Sequence, residues 1–352
     1  MGKRTTTPKT GRGAAATGVR KPPREQETLD QDTSDSAQEA EREIEESHEE
    51  YAEDAEITDK QAKDMQERRE NVVDNLKEEG LEIEEDHIYG SVMQGTMTGP
   101  MDEDSDVDVL VVLDAEEHEQ WAKDENGPRN ALNAVKRKLE KKYPNQEVYV
   151  DRNVVAVKFS DFTVEVAPAF RYSDVRDPDP PSRFAMFGGT EEDPQDGYAI
   201  PDTYGGQSWV GTNPRKFQSM YDAVNQNNKG NLQRVAVSAK KWNEENGKPV
   251  NSYHMVMMAY KYFQNDAPAN ASTHEHMSNF MKKLPQYVHE KTREPVYEER
   301  IDRGMSRKEK REAAQKAWKA SKKIEEAERL KEEGKTEEAK EKYREVYGDG
   351  FR

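Results

Sequence analysis

Asp106 and Asp108 stand at the head of an apolar run, Val109–Leu113, which puts two carboxylates at the start of a buried strand. Alternate residues of a strand leave the same face, so the two acids are expected about 7 Å apart at their Cα atoms. That suits bridging two hard divalent ions, which in two-metal sites sit about 3.5–4 Å apart. Upstream, Gly90 and Ser91 form a Gly-Ser turn, and the loop behind it carries Gly95 and Gly99-Pro100. A turn without a Cβ in the way offers backbone N–H groups and a hydroxyl to a phosphate. A phosphate cradle followed by an acidic pair on a buried strand is what metal-assisted nucleotidyl transfer needs. The plainer reading is a turn and a strand whose acids mark its exposed end. Acid pairs alone are common, and the ordered combination is what carries the specificity.

A third acid follows. In Phe162–Ala167 (FTVEVA), Phe162, Val164 and Val166 face one side of a strand while Thr163 and Glu165 face the other. Leaving Glu165 buried and unpaired would cost on the order of several kcal/mol, so it needs a cation, and metal ligation beside Asp106 and Asp108 is the economical explanation. The alternative is a sheet edge with Glu165 in water. Asp161 is the second choice for this role, but it lies in the Ser160-Asp161 turn, where Asp is expected anyway.

The elements that must position these residues can be read from pattern and caps. Residues 1–24 carry seven Lys or Arg and no acid, and from Glu25 to about Glu56 the bias reverses to Glu, Asp, Gln and Ser. Such segments default to disorder, so residues 1–57 are expected to be a charged tail, with a helix starting at about residue 37. Thr58–Gln61 is a capping box opening a helix with Ala62, Met65, Val72, Val73 and Leu76 on one face and Gly80 as its stop. Asn126-Gly127-Pro128 opens a second helix, with Leu132, Val135, Leu139 and Tyr143 buried, and Pro144 ends it. Gln146–Val150 and Asn153–Phe159 read as strands. Residues 172–206 are loop-like, and from Pro214 the chain reads helical, with Lys240-Lys241 on one helix, Asn251-Ser252-Tyr253 opening another, and a second capping box at Ser272–Glu275. The expected division is a catalytic lobe over 58–170, linking loops over 171–213 and a helical lobe over 214–352. His274 and His276 are two apart on a helix and do not share a face, so they are not read as a metal pair.

Composition narrows the class. The 352-residue chain carries a net charge of −18, with 36% charged residues against 32% apolar ones, and has no cysteine. Disulfide frameworks and Cys-based zinc sites are excluded. No run of about 18 apolar residues is present, so no membrane partner and a cytoplasmic location are expected. The acidity argues against nucleic acid as a main partner, and it is also the surface expected of a protein from a high-salt cytoplasm.

The Gly90-Ser91 turn, its spacer and the Asp106-Val-Asp108 pair resemble the signature of the nucleotidyltransferase superfamily. Later segments narrow the likeness. Val164–Phe170 (VEVAPAF), Ile200-Pro-Asp with Gly205–Trp209 and Thr212-Asn-Pro214, Lys240-Lys-Trp242 with Asn251-Ser-Tyr253, and the closing Tyr343–Phe351 are similar to the CD-NTases, the oligonucleotide cyclases with SMODS-type domains related to 2′-5′-oligoadenylate synthetases. The third acid is Glu where Asp is common there, and the spacer is slightly long and acidic. The resemblance implies an α+β fold, with a polymerase-beta-like mixed-sheet lobe, a C-terminal helical lobe and the active site in the cleft between them. It implies that Asp106, Asp108 and Glu165 are catalytic and ligate two Mg²⁺ (or Mn²⁺) ions. Gly90, Ser91, Gln94, Lys240 and Ser252 would hold the nucleotide, with Lys240 favoured over Lys241. The activity implied is synthesis of a cyclic or short linear oligonucleotide second messenger from ATP and other NTPs. The product would act on an effector protein in anti-phage defence, with an activating partner as a further expectation. The rivals are a template-independent RNA-tailing enzyme, a toxin that adenylylates protein, and a non-enzymatic nucleotide-binding regulator.

Overall fold

The computed structural model describes residues 23–103, 105–175, 197–203, 208–298 and 300–352, with side chains from residue 36 onward. The basic segment and most of the loop-like stretch lie outside the described residues. The order is α1 (Pro23–Asp54), α2 (Asp59–Glu78), β1 (Ile83–Ile88), α3 (Gly90–Met93), β2 (Asp106–Leu113), α4 (Glu119–Lys123), α5 (Gly127–Lys142), β3 (Glu147–Asp151), β4 (Val154–Lys158) and β5 (Thr163–Arg171). The hairpin β6 (Tyr198–Asp202) and β7 (Ser208–Thr212) follows. The chain finishes in α6 (Pro214–Asn227), α7 (Asn231–Glu245), α8 (Ser252–Asn265), α9 (Thr273–His289), α10 (Arg307–Glu332) and α11 (Thr336–Tyr347). This is the expected α+β architecture, with a mixed sheet followed by helices.

The strands run in the order β1-β2-β5-β4-β3, with β6 added at the end of β5 and β7 beside β6. Only β2 and β5 run parallel; the other pairs are antiparallel. Both central strands are apolar almost throughout, as expected of strands covered on two faces. Val107, Val109, Val111, Val164 and Val166 turn to one face and pack on Met65, Val72 and Leu76 of α2 and on Leu132, Val135 and Leu139 of α5. Leu110, Val112, Ala167 and Ala169 make a smaller cluster on the opposite face with Tyr198. The same face carries the acids at its other end.

Local signals set the helix boundaries. At α2 the Thr58 hydroxyl accepts the Gln61 N–H at 3.2 Å while the Gln61 side chain accepts the Thr58 N–H at 3.0 Å. The Ser272 box at α9 forms in the same way, and Asn251 accepts the N–H groups of Tyr253 and His254 at the head of α8. A second core unites α6 to α11 around Trp242, Tyr262 and Phe280. The hairpin of α10 and α11 packs on α9, α7 and α1, as part of the helical lobe.

Two expectations change. Order begins well before Thr58, because the acidic segment expected to be a disordered tail is helical over Pro23–Asp54. Its Ala40, Ile44, Tyr51 and Ala52 form a stripe that is at most 3% exposed, spaced as one helix face but diluted by surrounding charges. His48 of α1 lies edge-on to Tyr343 and Phe351, and Glu45 accepts the N–H groups of Thr273 and His274 at 2.8 Å each, adding a carboxylate to the α9 cap. Helix α1 is thus built into the helical lobe. The second change is the β6–β7 hairpin, which occupies part of the stretch read as linking loops; Pro201 and the glycines obscured it. His274 and His276 are both buried. The His274 Nε2 lies 3.0 Å from the Lys331 Nζ and 3.4 Å from Glu328, and the His276 Nδ1 lies 3.3 Å from the Tyr262 hydroxyl.

Integration of α1 predicts a cost for hollowing its stripe. Ile44→Ala is expected to destabilise the protein by about 2–5 kcal/mol, read as a lowered denaturation midpoint. An unchanged midpoint would mean that α1 is dispensable.

Candidate active site

Sheet register assembles the acids. In the parallel pair of β2 and β5, Asp106 stands opposite Thr163 and Asp108 opposite Glu165. Paired residues share a face, so all three carboxylates leave the sheet on the side away from α2 and α5. The row through Asp108 continues from Glu165 to Ala156 on β4 and Tyr149 on β3. On its other side, the Tyr89 N–H donates to the Asp108 carbonyl at 3.2 Å, and Gly90 follows. Gly90 has φ +66°, and an added Cβ would lie 2.9 Å from Cγ of Asp108 and overlap the carboxylate. The glycine is therefore required twice, for its left-handed backbone and for the close approach of the acid.

The acids oppose one another's ionisation in a partly dry setting. Burial first, and then the Asp106 charge, push Asp108 up to about 7, with Lys240 pulling the other way. Burial, then Asp106, Asp108 and Asp151, push Glu165 up to about 8. Burial also brings Lys240 down to about 8, although Glu244, Asp108 and Asp106 favour its charged form. A set of hard oxygen donors too crowded to ionise together fits divalent cations. Asp106, Asp108 and Glu165 are the residues that would hold them. Among the described residues no three acids or imidazoles stand preset as a closed ligand cage, so ligation would require their side chains to turn inward.

Helical-lobe residues reach the same place. Lys240 on α7 is 4% exposed, and its Nζ donates to the Thr96 carbonyl at 2.6 Å. The Thr98 hydroxyl donates to Glu244 at 2.6 Å. Together they clamp the loop between the Gly-Ser turn and β2 against α7. Lys241 instead lies near Glu245, while Lys240 lies close enough to Asp108 and Asp106 for their charges to favour its protonated form. The Ser91 hydroxyl rests 3.2 Å from the Met97 sulfur, a weak acceptor from which a phosphate could draw it. Gln94 is only 6% exposed and its Oε1 has no hydrogen-bond partner; it lies under the turn. Ser252 is half-buried at the first position of α8. Asp161, the second choice for the third acid, lies away from the row and pairs with Arg68 at 2.9 Å.

Sequence reasoning missed Tyr89 and Tyr149, and named Tyr253 only within the Asn251-Ser-Tyr253 motif. Burial, then Asp108 and Glu165, hold the Tyr89 hydroxyl well above its usual range, and burial, then Glu294 and Asp108, do so for Tyr253. Burial, then Glu165 and Asp106, raise Tyr149. Tyr89 adjoins Gly90, so adjacency could have flagged it. Tyr149 is reached only through strand pairing. A groove of about 500 Å³, lined by Met93 and by Arg215, Gln218, Asp222 and neighbouring residues of α6, lies beside the turn and not over the acids.

Residues 43–183 match the family described as Second Messenger Oligonucleotide or Dinucleotide Synthetase domain (SMODS). No curated protein matches the chain significantly. Among solved structures, CdnC of E. coli MS115-1 with ATP is 16% identical with a TM-score of 0.60, over 87% of this chain and 98% of that one. The same protein has been solved in a CdnC:HORMA-deltaN complex. The CD-NTase CdnG of Bradyrhizobium diazoefficiens with GTP is 13% identical, TM-score 0.58, over 86% of this chain and 98% of that one. The cyclic AMP-GMP synthase DncV of Vibrio cholerae, with the linear intermediate pppA(3′,5′)pG, is 13% identical, TM-score 0.56, over 94% and 92%. At such identities the structural likeness establishes the fold. Residues 43–183 thus carry the match to the second-messenger synthetase domain, and the chain as a whole shares the fold of the CD-NTase structures.

Two outcomes follow from this geometry. Because Asp108 and Glu165 titrate higher in the folded protein than in an unfolded chain, their protonation stabilises the metal-free fold at low pH. That contribution is full below the ordinary carboxylate values of 3.8 and 4.5 and is lost progressively as pH rises from there to about 7 to 8. Divalent ions compete with those protons. The metal-free Tm is expected to fall across this window while the Tm gain from Mg²⁺ grows; a gain independent of pH would contradict the assignment. Gly90→Ala is expected to lower turnover by about a hundredfold through misplacement of Asp108, read as pyrophosphate release.

Proposed function

We propose that this chain joins ATP, and other NTPs such as GTP, into a cyclic or short linear oligonucleotide in the cytoplasm. The proposal is carried by one observation: Asp106, Asp108 and Glu165 share one sheet face, beside a Gly-Ser turn and opposite a buried lysine of the second lobe. The donor triphosphate would lie along the Gly90-Ser91 turn. There the backbone N–H groups and the Ser91 hydroxyl can donate to phosphate oxygens, while Lys240 and Ser252 close from the helical lobe. Lys240 would exchange the Thr96 carbonyl for a phosphate, gaining a charge-assisted hydrogen bond. When bound, two Mg²⁺ or Mn²⁺ ions would neutralise the acids and phosphates and acidify the acceptor hydroxyl.

The acceptor ribose hydroxyl attacks the donor α-phosphorus, a new P–O bond forms, the α–β bridging bond breaks, and pyrophosphate leaves with the hydroxyl proton passing to solvent. Asp106 and Asp108 orient both nucleotides, and Glu165 orients the acceptor. Gln94, beneath the turn, would support its conformation and contact nucleotide only if it turned outward. CdnC has been solved with HORMA-deltaN, and by analogy an activating partner is proposed here too. The product would act on an effector in anti-phage defence. Among the described residues no helix is long and apolar enough to cross a membrane.

The test is incubation of purified protein with all four labelled NTPs and Mg²⁺ or Mn²⁺, followed by phosphatase treatment and mass spectrometry. A phosphatase-resistant product made by the wild type and absent with Asp106→Ala/Asp108→Ala is expected. Label appearing on added RNA would assign a tailing enzyme, and label on protein an adenylylating one.

A further inference from the structure

Tyr149 is one of two large hydrophobic side chains exposed among the described residues, at 36%; the other, Trp318, lies on α10. Tyr149 belongs to the transverse row that carries the acids: it pairs with Ala156, Ala156 with Glu165, and Glu165 with Asp108. All four leave the same face of the sheet. Two strand spacings put its Cα about 10 Å from that of Glu165. Ala156, the residue between them, is small and fully buried, so Tyr149 is the exposed member of the row beyond Glu165.

The row has a polarity. On the β1 side of Asp108 stand the Gly-Ser turn and Lys240, suited to phosphates. On the β3 side the neighbours are acidic: Glu147 and Asp151 share the Tyr149 face of β3, and Asp151 adds to the field at Glu165. Such surroundings repel a triphosphate and accept an uncharged ring. A nucleotide whose ribose hydroxyl sits over Glu165 and whose base extends away from the donor would pass above the side chains that cover Ala156 and meet the exposed Tyr149 ring.

We infer that the Tyr149 ring is a stacking platform for the base of the acceptor nucleotide, a role that rests on the nucleotidyltransferase reading above. An aromatic face accepts any base, so the platform positions the acceptor without choosing its identity. The ring needs only its face, and the hydroxyl is dispensable.

The experiment uses labelled ATP as donor and AMP as acceptor, since AMP lacks the pyrophosphate leaving group and can only accept. Tyr149→Ala is expected to raise the KM for AMP by about tenfold or more, with kcat within about twofold and the KM for donor ATP unchanged. Tyr149→Phe is expected to behave as wild type. An unchanged acceptor KM, or a fall in kcat alone, would overturn the inference, as would loss of the effect's rescue in Tyr149→Phe. A second measurement does not depend on turnover: nitration of Tyr149 by tetranitromethane, followed by peptide mass spectrometry, with and without saturating α,β-methylene ATP and Mg²⁺. Protection supports the platform, and equal nitration overturns it. Failure of the wild type to make any product would count against the proposed function, whereas nitration bears on Tyr149 itself.

Discussion

Three carboxylates at adjacent register positions, partly withdrawn from water, repel one another, and Lys240 offsets that only in part at Asp108. Lys240 is buried nearby, but it serves the Thr96 carbonyl and is itself drawn toward its neutral form. Such an arrangement costs stability in the metal-free chain and makes sense where divalent ions and a polyanionic substrate arrive together. Parallel pairing of β2 with β5 is what fixes it. Shifting either strand by one residue would turn its acids into the valine core over α2 and α5, so the valines that hold the register also hold the charges in place.

The rest of the chain serves that end of the sheet. Helices α2 and α5 close one face and leave the other for the cleft. Gly90 removes the one Cβ that would push Asp108 aside. Helix α7 presents Lys240 and Glu244 to the loop that carries the phosphate turn, coupling the two lobes through hydrogen bonds to Thr96 and Thr98. Helix α1 and the C-terminal Phe351 meet around His48 and brace the helical lobe. The long acidic opening is therefore part of the frame on which the cleft is built.

What could be read in the sequence was local. The Gly-Ser turn, the Asp-x-Asp at a strand head and the lone Glu165 among valines follow from periods of two and from turn chemistry. The three capped helix starts at Thr58, Asn251 and Ser272 follow from side chains within three residues. What could not be read depends on pairing or dilution. That Asp108 stands beside Glu165, and Tyr149 two strands beyond, is a matter of sheet register between distant segments. The α1 stripe of Ala40, Ile44 and Tyr51 is too sparse among glutamates to stand out, and Pro201 disguises β6. Gln94 came from its place in the motif, and its burial is a matter of packing that no spacing reports.

The claim on which the account rests is that Asp106, Asp108 and Glu165 form one divalent-cation site shared with a nucleotide. The direct measurement is the number and affinity of Mn²⁺ ions bound per chain, by electron paramagnetic resonance at pH 8, with α,β-methylene ATP present. Two ions are expected for the wild type, weaker binding of one of them for Glu165→Gln, and loss of both sites for Asp106→Ala/Asp108→Ala. Equal binding by all three proteins, or none by the wild type, would contradict it.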